Sequence, residues 1–454
     1  MDPHAPLAAP ALPDAAAIRP FTVGHGDVLR IAVPMMAAYL STPLVGLVAT
    51  MVVGQLGEEA LIGGVALAAV IFDVIFVSFN FLRAATAGFT AQSLGAGDRV
   101  AEQRMLLSGL LIALAGGLLI LAVHAPLGRL SLAVLGAEGE VAQAASVYFG
   151  WRIWSAPFAL VNFVIFGWVI GLGRSISAMA LQTLLNGLNL GLSLWWVLGL
   201  GWGLAGLALA SLAAEAVTTL AGLALIVWHT DRRLWTLPSL PELKRLFSVN
   251  SDMMIRSFAL LLGLSFFTRQ SGTLGIEILA ANTILLRFYF FGVAFLDGVA
   301  TAAEQLAGRA VGARYRPAFD RVITLTTLWG FVFAAIVSLG FLALAGPVIS
   351  LAAPNEEVAR LAHLYLPYAV ALPLIGVVAF QMDGVYIGAT WSREMRNLML
   401  ASLVLYVAAC AVLQPMFGNH GLWIALGLFQ CARSVAFRWM LPRLAARTMG
   451  PSAA

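Results

Sequence analysis

Long apolar runs, separated by short polar or Gly/Pro-rich breaks, organise the whole chain. Cut at those breaks, the sequence gives twelve segments, at approximately 28–54, 60–94, 101–125, 139–172, 175–199, 202–229, 241–270, 273–310, 317–345, 356–390, 394–415 and 418–446. A helix that crosses a bilayer needs about 20 largely apolar residues. Every segment meets that length, and the longer ones predict tilt, kinking or extension beyond the membrane. Pro34, Pro43, Pro157, Pro367 and Pro373 fall inside spans and predict bends, because each removes a backbone donor.

Composition changes the picture only by confirming its solvent. Of 454 residues, 61% are hydrophobic and 11% charged, whereas soluble domains carry about a quarter charged residues. That excludes a cytosolic enzyme, a nucleic-acid binder and a disordered scaffold. Cys410 and Cys431 both lie in apolar runs and make neither a disulfide framework nor a CxxC site. The Ala/Pro-rich start, with Asp2 and Asp14, lacks the basic leader of a signal peptide and reads as a loose tail.

The arginines orient the spans. With the N-terminus cytoplasmic, seventeen basic residues fall on the cytoplasmic side, among them Arg19, Arg99, Arg174, Lys244, Arg309, Arg316, Arg393 and Arg447. Only Arg129, Arg269 and Arg360 fall opposite. This is the positive-inside asymmetry, and it accounts for the net charge of +4 without an acidic partner. It places both termini in the cytoplasm of a multi-pass inner (plasma) membrane protein.

The chain also matches itself at a shift of 217 residues. Gly95-Ala96 recurs as Gly312-Ala313, and Gly167, Ile170, Gly171 and Ser175 recur as Gly384, Ile387, Gly388 and Ser392. Each unit holds six spans, so the halves enter the membrane in the same sense, related by a pseudo-twofold along the membrane normal. The expectation is an all-α polytopic membrane protein with twelve transmembrane helices in two pseudo-symmetric six-helix lobes. Residues 1–24 form a cytoplasmic tail, 25–230 the N-lobe, 231–245 a cytoplasmic linker, 246–447 the C-lobe and 448–454 a C-terminal tail. No GxxxxGK[ST], GxSxG or HExxH motif is present. The chain therefore reads as a secondary transporter driven by an ion gradient, not an enzyme.

Charges deep in a span are functional candidates. Asp73, Asp297, Glu304 and Asp383 are the deep acids, and Glu304 lies two turns after Asp297 on the same helix face. Each either couples transport to an ion or makes a static contact, such as a salt bridge from Asp297 to Arg287. Arg83, Arg152 and Arg287, with Asn80, Tyr289 and Gln381, are candidates to line a substrate cavity. Glu215 reads as a helix–helix hydrogen-bonding residue.

At this point the chain resembles the multidrug and toxic compound extrusion (MATE) family, in its DinF branch. The resemblance rests on FLRAATAGFTAQSLGAGD in the second span, LGLGWGLAGLALASLAAE in the sixth, and NSDMMIRS in the seventh. LAANTILLRFYFFGVAFLDGVATAAEQLAGRAVG in the eighth and FQMDGVYIGAT in the tenth extend it, so that it covers about residues 25–447. It implies two six-helix lobes exporting amphiphilic, cationic compounds in exchange for H⁺ or Na⁺ by alternating access. The implied partners are small-molecule substrates and the bilayer, with no cofactor, no nucleic acid and a monomeric state. Asp297, Glu304 and Asp383 match the branch pattern, as does Asn282, and Na⁺ would sit at Asp297 and Asp383.

Two acids of the branch pattern are missing: Ala49 stands for one and Ser193 for the other, leaving Asp73 as a displaced replacement. A lipid-linked precursor flippase of the same superfamily is the alternative, kept open by the three arginines.

Overall fold

The computed structural model describes residues 18–236 and 238–450, so most of the N-terminal tail, Leu237 of the linker and residues 451–454 lie outside it. The helices are α1 (His25–Gly54), α2 (Glu59–Phe79), α3 (Phe81–Ala96), α4 (Arg99–Ala122), α5 (His124–Val134), α6 (Gly139–Arg152), α7 (Ala156–Gly171) and α8 (Ser175–Ser193). There follow α9 (Gly203–His229), α10 (Leu240–Thr273), α11 (Ile276–Gly312), α12 (Arg316–Ala352), α13 (Glu356–Gly388), α14 (Ser392–Phe417) and α15 (Asn419–Met449). No strand occurs among the described residues.

These helices make the twelve predicted rods. α2 and α3 form one, interrupted at Asn80, and α6 and α7 form another, interrupted by a 3₁₀ turn at Ile153–Ser155 just before Pro157. The pyrrolidine supplies no N–H to the preceding turn, which explains the second break. α8 runs on into a π-helical turn, Leu194–Gly199. α5 is a short connecting helix in the break between the third and fourth expected spans.

Ten rods are long and apolar enough to cross a membrane by length and composition. α8 and α15 are diluted by Gln182, Asn186 and Asn189 and by Arg433, Arg438, Arg443 and Arg447 respectively. Both still pack as full members of their lobes.

Helix pairing repeats between the halves. α1 packs on α8 as α10 packs on α14, α8 on α9 as α14 on α15, and α7 on α9 as α13 on α15. The closest contacts repeat residue by residue. A Cβ on Gly167 would strike the carbonyl of Arg83, and one on Gly384 that of Ala300. Gly171 stands in the same relation to Ala87 as Gly388 does to Glu304. Small residues let helix backbones approach closely, which is how membrane helices gain packing without a hydrophobic drive between them.

The lobes meet on the pseudo-axis. Gly95 of α3 sits against the carbonyl of Arg309, and Gly312 of α11 sits against the carbonyl of Gln92. All four residues obey the 217 shift, so this contact is self-complementary. A further hydrogen bond crosses between lobes from Gln92 Nε2 to the Gly388 carbonyl (2.8 Å), and the Arg19 amide, just before α1, donates to the Ala313 carbonyl of the C-lobe (3.2 Å). Tyr39 and Thr301 hydroxyls meet at 3.1 Å. The Gln92, Gly388 and Ala313 contacts lie at the helix ends next to the arginine-rich loops, and the Tyr39–Thr301 contact lies at the middle of α1.

Candidate functional site

The polar centre of the C-lobe is built around Asp383 of α13. Its Oδ2 accepts from Arg433 Nη2 of α15 (2.5 Å) and from Arg256 Nη2 of α10 (2.7 Å). Arg433 is wholly buried; its Nη1 donates to Gln430 Oε1 at 2.6 Å, and Gln430 Nε2 donates to the Tyr289 hydroxyl at 2.6 Å. Gln430 and Arg433 are three residues apart on α15, which puts them on one helix face. Phe380 and Phe429 lie under the guanidinium at 5.6 and 5.5 Å. Asp383 Oδ1 has no hydrogen-bond partner.

One helix away, α11 presents Asp297 and Glu304. Thr301 Oγ1, held by Tyr39 from α1, donates to the Asp297 backbone carbonyl at 2.8 Å; among the described residues no hydrogen bond reaches the half-buried carboxylate itself. The charges acting on it are Arg83, Arg256, Arg433 and Asp383. Glu304 is buried, with Oε2 at 3.4 Å from Arg83 Nη1 of α3 and Oε1 unpartnered. Among the described residues Arg83–Glu304 is the ion pair that joins the two lobes. Gln381, fully buried, donates to the Leu296 carbonyl at 3.4 Å, and its Oε1 is free. Asn80 lines a narrow crevice with Arg83 and Arg256.

Three carboxylates therefore face three guanidiniums. Asp297, Glu304 and Asp383, expected as ion-coupling acids, come together with Arg83, Tyr289, Gln381 and Asn80, expected to line a substrate cavity. Arg256 and Arg433 do not appear among the sequence candidates, although a signal existed. Once topology assigns seventeen basic residues to one side and three to the other, six of the 26 remain inside spans, and these two are among them.

Two expected placements differ. Asn282 is remote from the acids and saturated: Nδ2 donates to Ser271 and Asn419, while Oδ1 accepts from Asn419 and Trp423, all within 2.9 Å. It has no lone pair left for an ion. Arg287 is exposed and makes no pair with Asp297. Ten residues along one helix set the two side chains about 15 Å apart along its axis, beyond the reach of a salt bridge. Asp73 and Arg152 lie away from the central cluster, in the N-lobe.

There they line a cavity of about 250 Å³ bounded by α1, α2, α6, α8 and α9. Ala49 lines the same cavity, and so does Asn189, which accepts from Ser193 at 3.4 Å. Asp73 thus faces the space around the two missing acids. Glu215 sits deeper and accepts from Asn162 Nδ2 at 2.6 Å, the α7–α9 hydrogen bond its position implied.

Comparison with known proteins agrees with this architecture. The chain is 34% identical over 417 residues to DNA damage-inducible protein F of Escherichia coli (strain K12), covering 90% of each. It is 27% identical over 466 residues to a probable multidrug resistance protein NorM of Rhizobium meliloti (strain 1021), covering 94% of this chain and 95% of that one. A solved structure described as the outward-facing conformation of a multidrug resistance MATE family transporter of the MOP superfamily superposes with a TM-score of 0.85. That pair is 22% identical and covers 93% of this chain and 96% of the other. The MatE family model matches residues 34–195 and 253–412, one block in each lobe, and the chain belongs to that family of multi-pass membrane transporters.

Proposed function

We propose that the protein is a secondary active exporter of amphiphilic, cationic compounds, exchanged for H⁺ or Na⁺ as the two lobes alternate their access. Both termini lie in the cytoplasm and the chain resides in the inner (plasma) membrane. The observation that carries the reading is the Arg83–Glu304 pair, which joins the lobes beside Asp297 and the doubly clamped Asp383. A carboxylate that takes a proton loses its hold on a guanidinium, so proton entry at Glu304 loosens the interlobe contact. Loss of the proton restores the pair and leaves Asp297 as an unpaired negative charge that attracts a cation. Buried charges at this depth mark ion and substrate paths in transporters.

The same geometry favours H⁺ over Na⁺. Sodium at Asp383 would need several oxygen ligands beside two guanidiniums that already hold Oδ2, whereas a proton needs only the lone pair of the unpartnered Oδ1. The N-lobe cavity, zipped lobes at the arginine-rich face and multidrug-resistance relatives are consistent with export from the cytoplasmic side.

Efflux of a fluorescent organic cation from everted vesicles, under an imposed pH or Na⁺ gradient, tests this. A pH gradient is expected to drive transport, and Asp297→Asn with Asp383→Asn is expected to abolish it. Unchanged gradient-driven transport in that double variant would overturn the C-lobe assignment.

A further inference from the structure

The last helix runs past the membrane on the arginine-rich side. α15 has 31 residues and so rises about 46 Å, more than the roughly 30 Å hydrocarbon core of a bilayer. Two contacts fix the level of its final turns. The Tyr386 hydroxyl donates to the Phe437 carbonyl at 2.8 Å, and Trp391 Nε1 donates to Thr448 Oγ1 at 3.1 Å. Residues 437–448 therefore lie beside the end of α13 and the start of α14, where the apolar core gives way to headgroups.

One face of this stretch is left to lipid. Val435, Trp439, Arg443 and Arg447 follow at intervals of four, which stacks them along one side of the helix. All four are exposed, Val435 by 69% and Trp439 by 62%. The Arg443 guanidinium lies 4.7 Å from the centroid of the Trp439 ring, within cation–π range. Arg443 makes no ion pair among the described residues, and Arg447 reaches only Glu394, at 4.0 Å. Arg438, also exposed, adds a positive charge beside the stripe. The equivalent helix of the N-lobe, α9, carries neither Arg nor Lys from Gly203 to His229. The positive-inside asymmetry is met there without such a cluster, so topology alone does not call for one on α15.

We propose that this stripe binds an anionic phospholipid of the leaflet on the arginine-rich side, the cytoplasmic leaflet in the proposed orientation. Arg443 and Arg447 hold the headgroup phosphate, to which a planar guanidinium offers paired N–H donors. Trp439 sits at the level where indole rings anchor to headgroups, and its face holds the Arg443 side chain in place. Val435 continues the stripe toward the membrane centre and meets an acyl chain. A free phosphate would use the arginines alone; a lipid uses all four residues. Each basic residue at a membrane surface adds roughly fivefold in affinity for anionic lipid. The site lies outside the exporter reading and needs neither a transported substrate nor a coupling ion.

Native mass spectrometry of the purified full-length protein in nonionic detergent tests this, with dioleoylphosphatidylglycerol and, separately, zwitterionic dioleoylphosphatidylcholine. The first phosphatidylglycerol is expected to bind wild type at least about tenfold more tightly than phosphatidylcholine. Arg443→Gln with Arg447→Gln should remove most of that preference while leaving phosphatidylcholine binding unchanged, which shows that the helix is still in place. Trp439→Ala should cut the preference severalfold, because Arg443 loses its ring. Arg321→Gln removes an exposed arginine of α12 on the same side of the membrane and should change nothing. Excess glycerol 3-phosphate, the headgroup chemistry without acyl chains, should fail to displace the lipid. Equal affinities in wild type, no binding of either lipid, or a preference that survives the double substitution would each overturn the proposal. So would an equal loss in Arg321→Gln, which would make the attraction diffuse, or displacement by glycerol 3-phosphate, which would make this a site for a soluble phosphate.

Discussion

The two lobes share a skeleton and almost none of its chemistry. Gly167 and Gly384 press on equivalent carbonyls, as do Gly171 and Gly388. Yet the residue before Gly384 is Asp383, the buried anchor of two arginines, while the residue before Gly167 is Phe166. Glu304, whose carbonyl receives Gly388, corresponds to Ala87; Arg83, whose carbonyl receives Gly167, corresponds to Ala300. The ion pair between Arg83 and Glu304 is therefore a bond between unlike halves. Backbone approach is dictated by helix geometry and must be solved the same way twice. Side chains that face the interior are free to diverge, so a duplicated scaffold acquires one charged centre and one mostly apolar chamber.

The sharpest way to break that contrast is to remove one guanidinium from each side. Arg433→Met leaves Asp383 buried with Arg256 alone and cuts the link to Gln430 and Tyr289. Removing one partner of a buried pair typically costs about 3–5 kcal/mol. Arg152→Met, with no salt bridge to lose, is expected to cost under about 1 kcal/mol, within the range of substitutions away from paired networks. Thermal unfolding in detergent measures both. Equal losses would mean that Arg152 is held by a structural pairing that the N-lobe geometry does not display.

The rods were legible in the sequence because lipid imposes a length and a polarity on each. The expected spans at 139–172, 175–199 and 356–390 fall within two residues of Gly139–Gly171, Ser175–Gly199 and Glu356–Gly388. The deep acids were legible too, since a charge inside an apolar run stands out. Their partners were not. Asp383 is clamped by residues 127 and 50 positions away, and no local spacing encodes that juxtaposition. The Arg287–Asp297 alternative fails on local geometry: ten residues of helix rise, about 15 Å, separate the two side chains.

The shared skeleton makes its own prediction, smaller than the first. Ala in place of Gly171 or Gly388 puts a methyl group against a backbone carbonyl that cannot rotate away. Overpacking of this kind costs about 1–3 kcal/mol, and the two variants should lose stability alike. Gly340→Ala, on α12 with open space around it, is the control. It should be neutral or slightly stabilising, by up to about 1 kcal/mol, because alanine favours the helix. A large difference between Gly171→Ala and Gly388→Ala in their melting temperatures would show that the symmetry of contacts is not a symmetry of energy.

The smallest effect on stability gives the finest test of how the lobes divide labour. Each lobe has a buried hydroxyl in a side-chain network. Thr219 donates to Asn162 Oδ1 at 3.1 Å in the N-lobe, and Tyr289 accepts from Gln430 at 2.6 Å in the C-lobe. Thr219→Val and Tyr289→Phe each delete one hydroxyl and should each cost about 1 kcal/mol. Their functional consequences should differ. The Thr219 network ends at Glu215 and braces α7 against α9, so cation efflux from vesicles should be unchanged. The Tyr289 network runs through Gln430 to Arg433 and so to Asp383. Its loss frees Gln430 to turn and weakens the clamp on Asp383, a carboxylate proposed to take up the coupling proton. Tyr289→Phe should slow efflux severalfold while leaving the melting temperature close to that of Thr219→Val. Two variants of matched stability and unmatched transport would assign coupling to the C-lobe; equal efflux would return it to the chain as a whole.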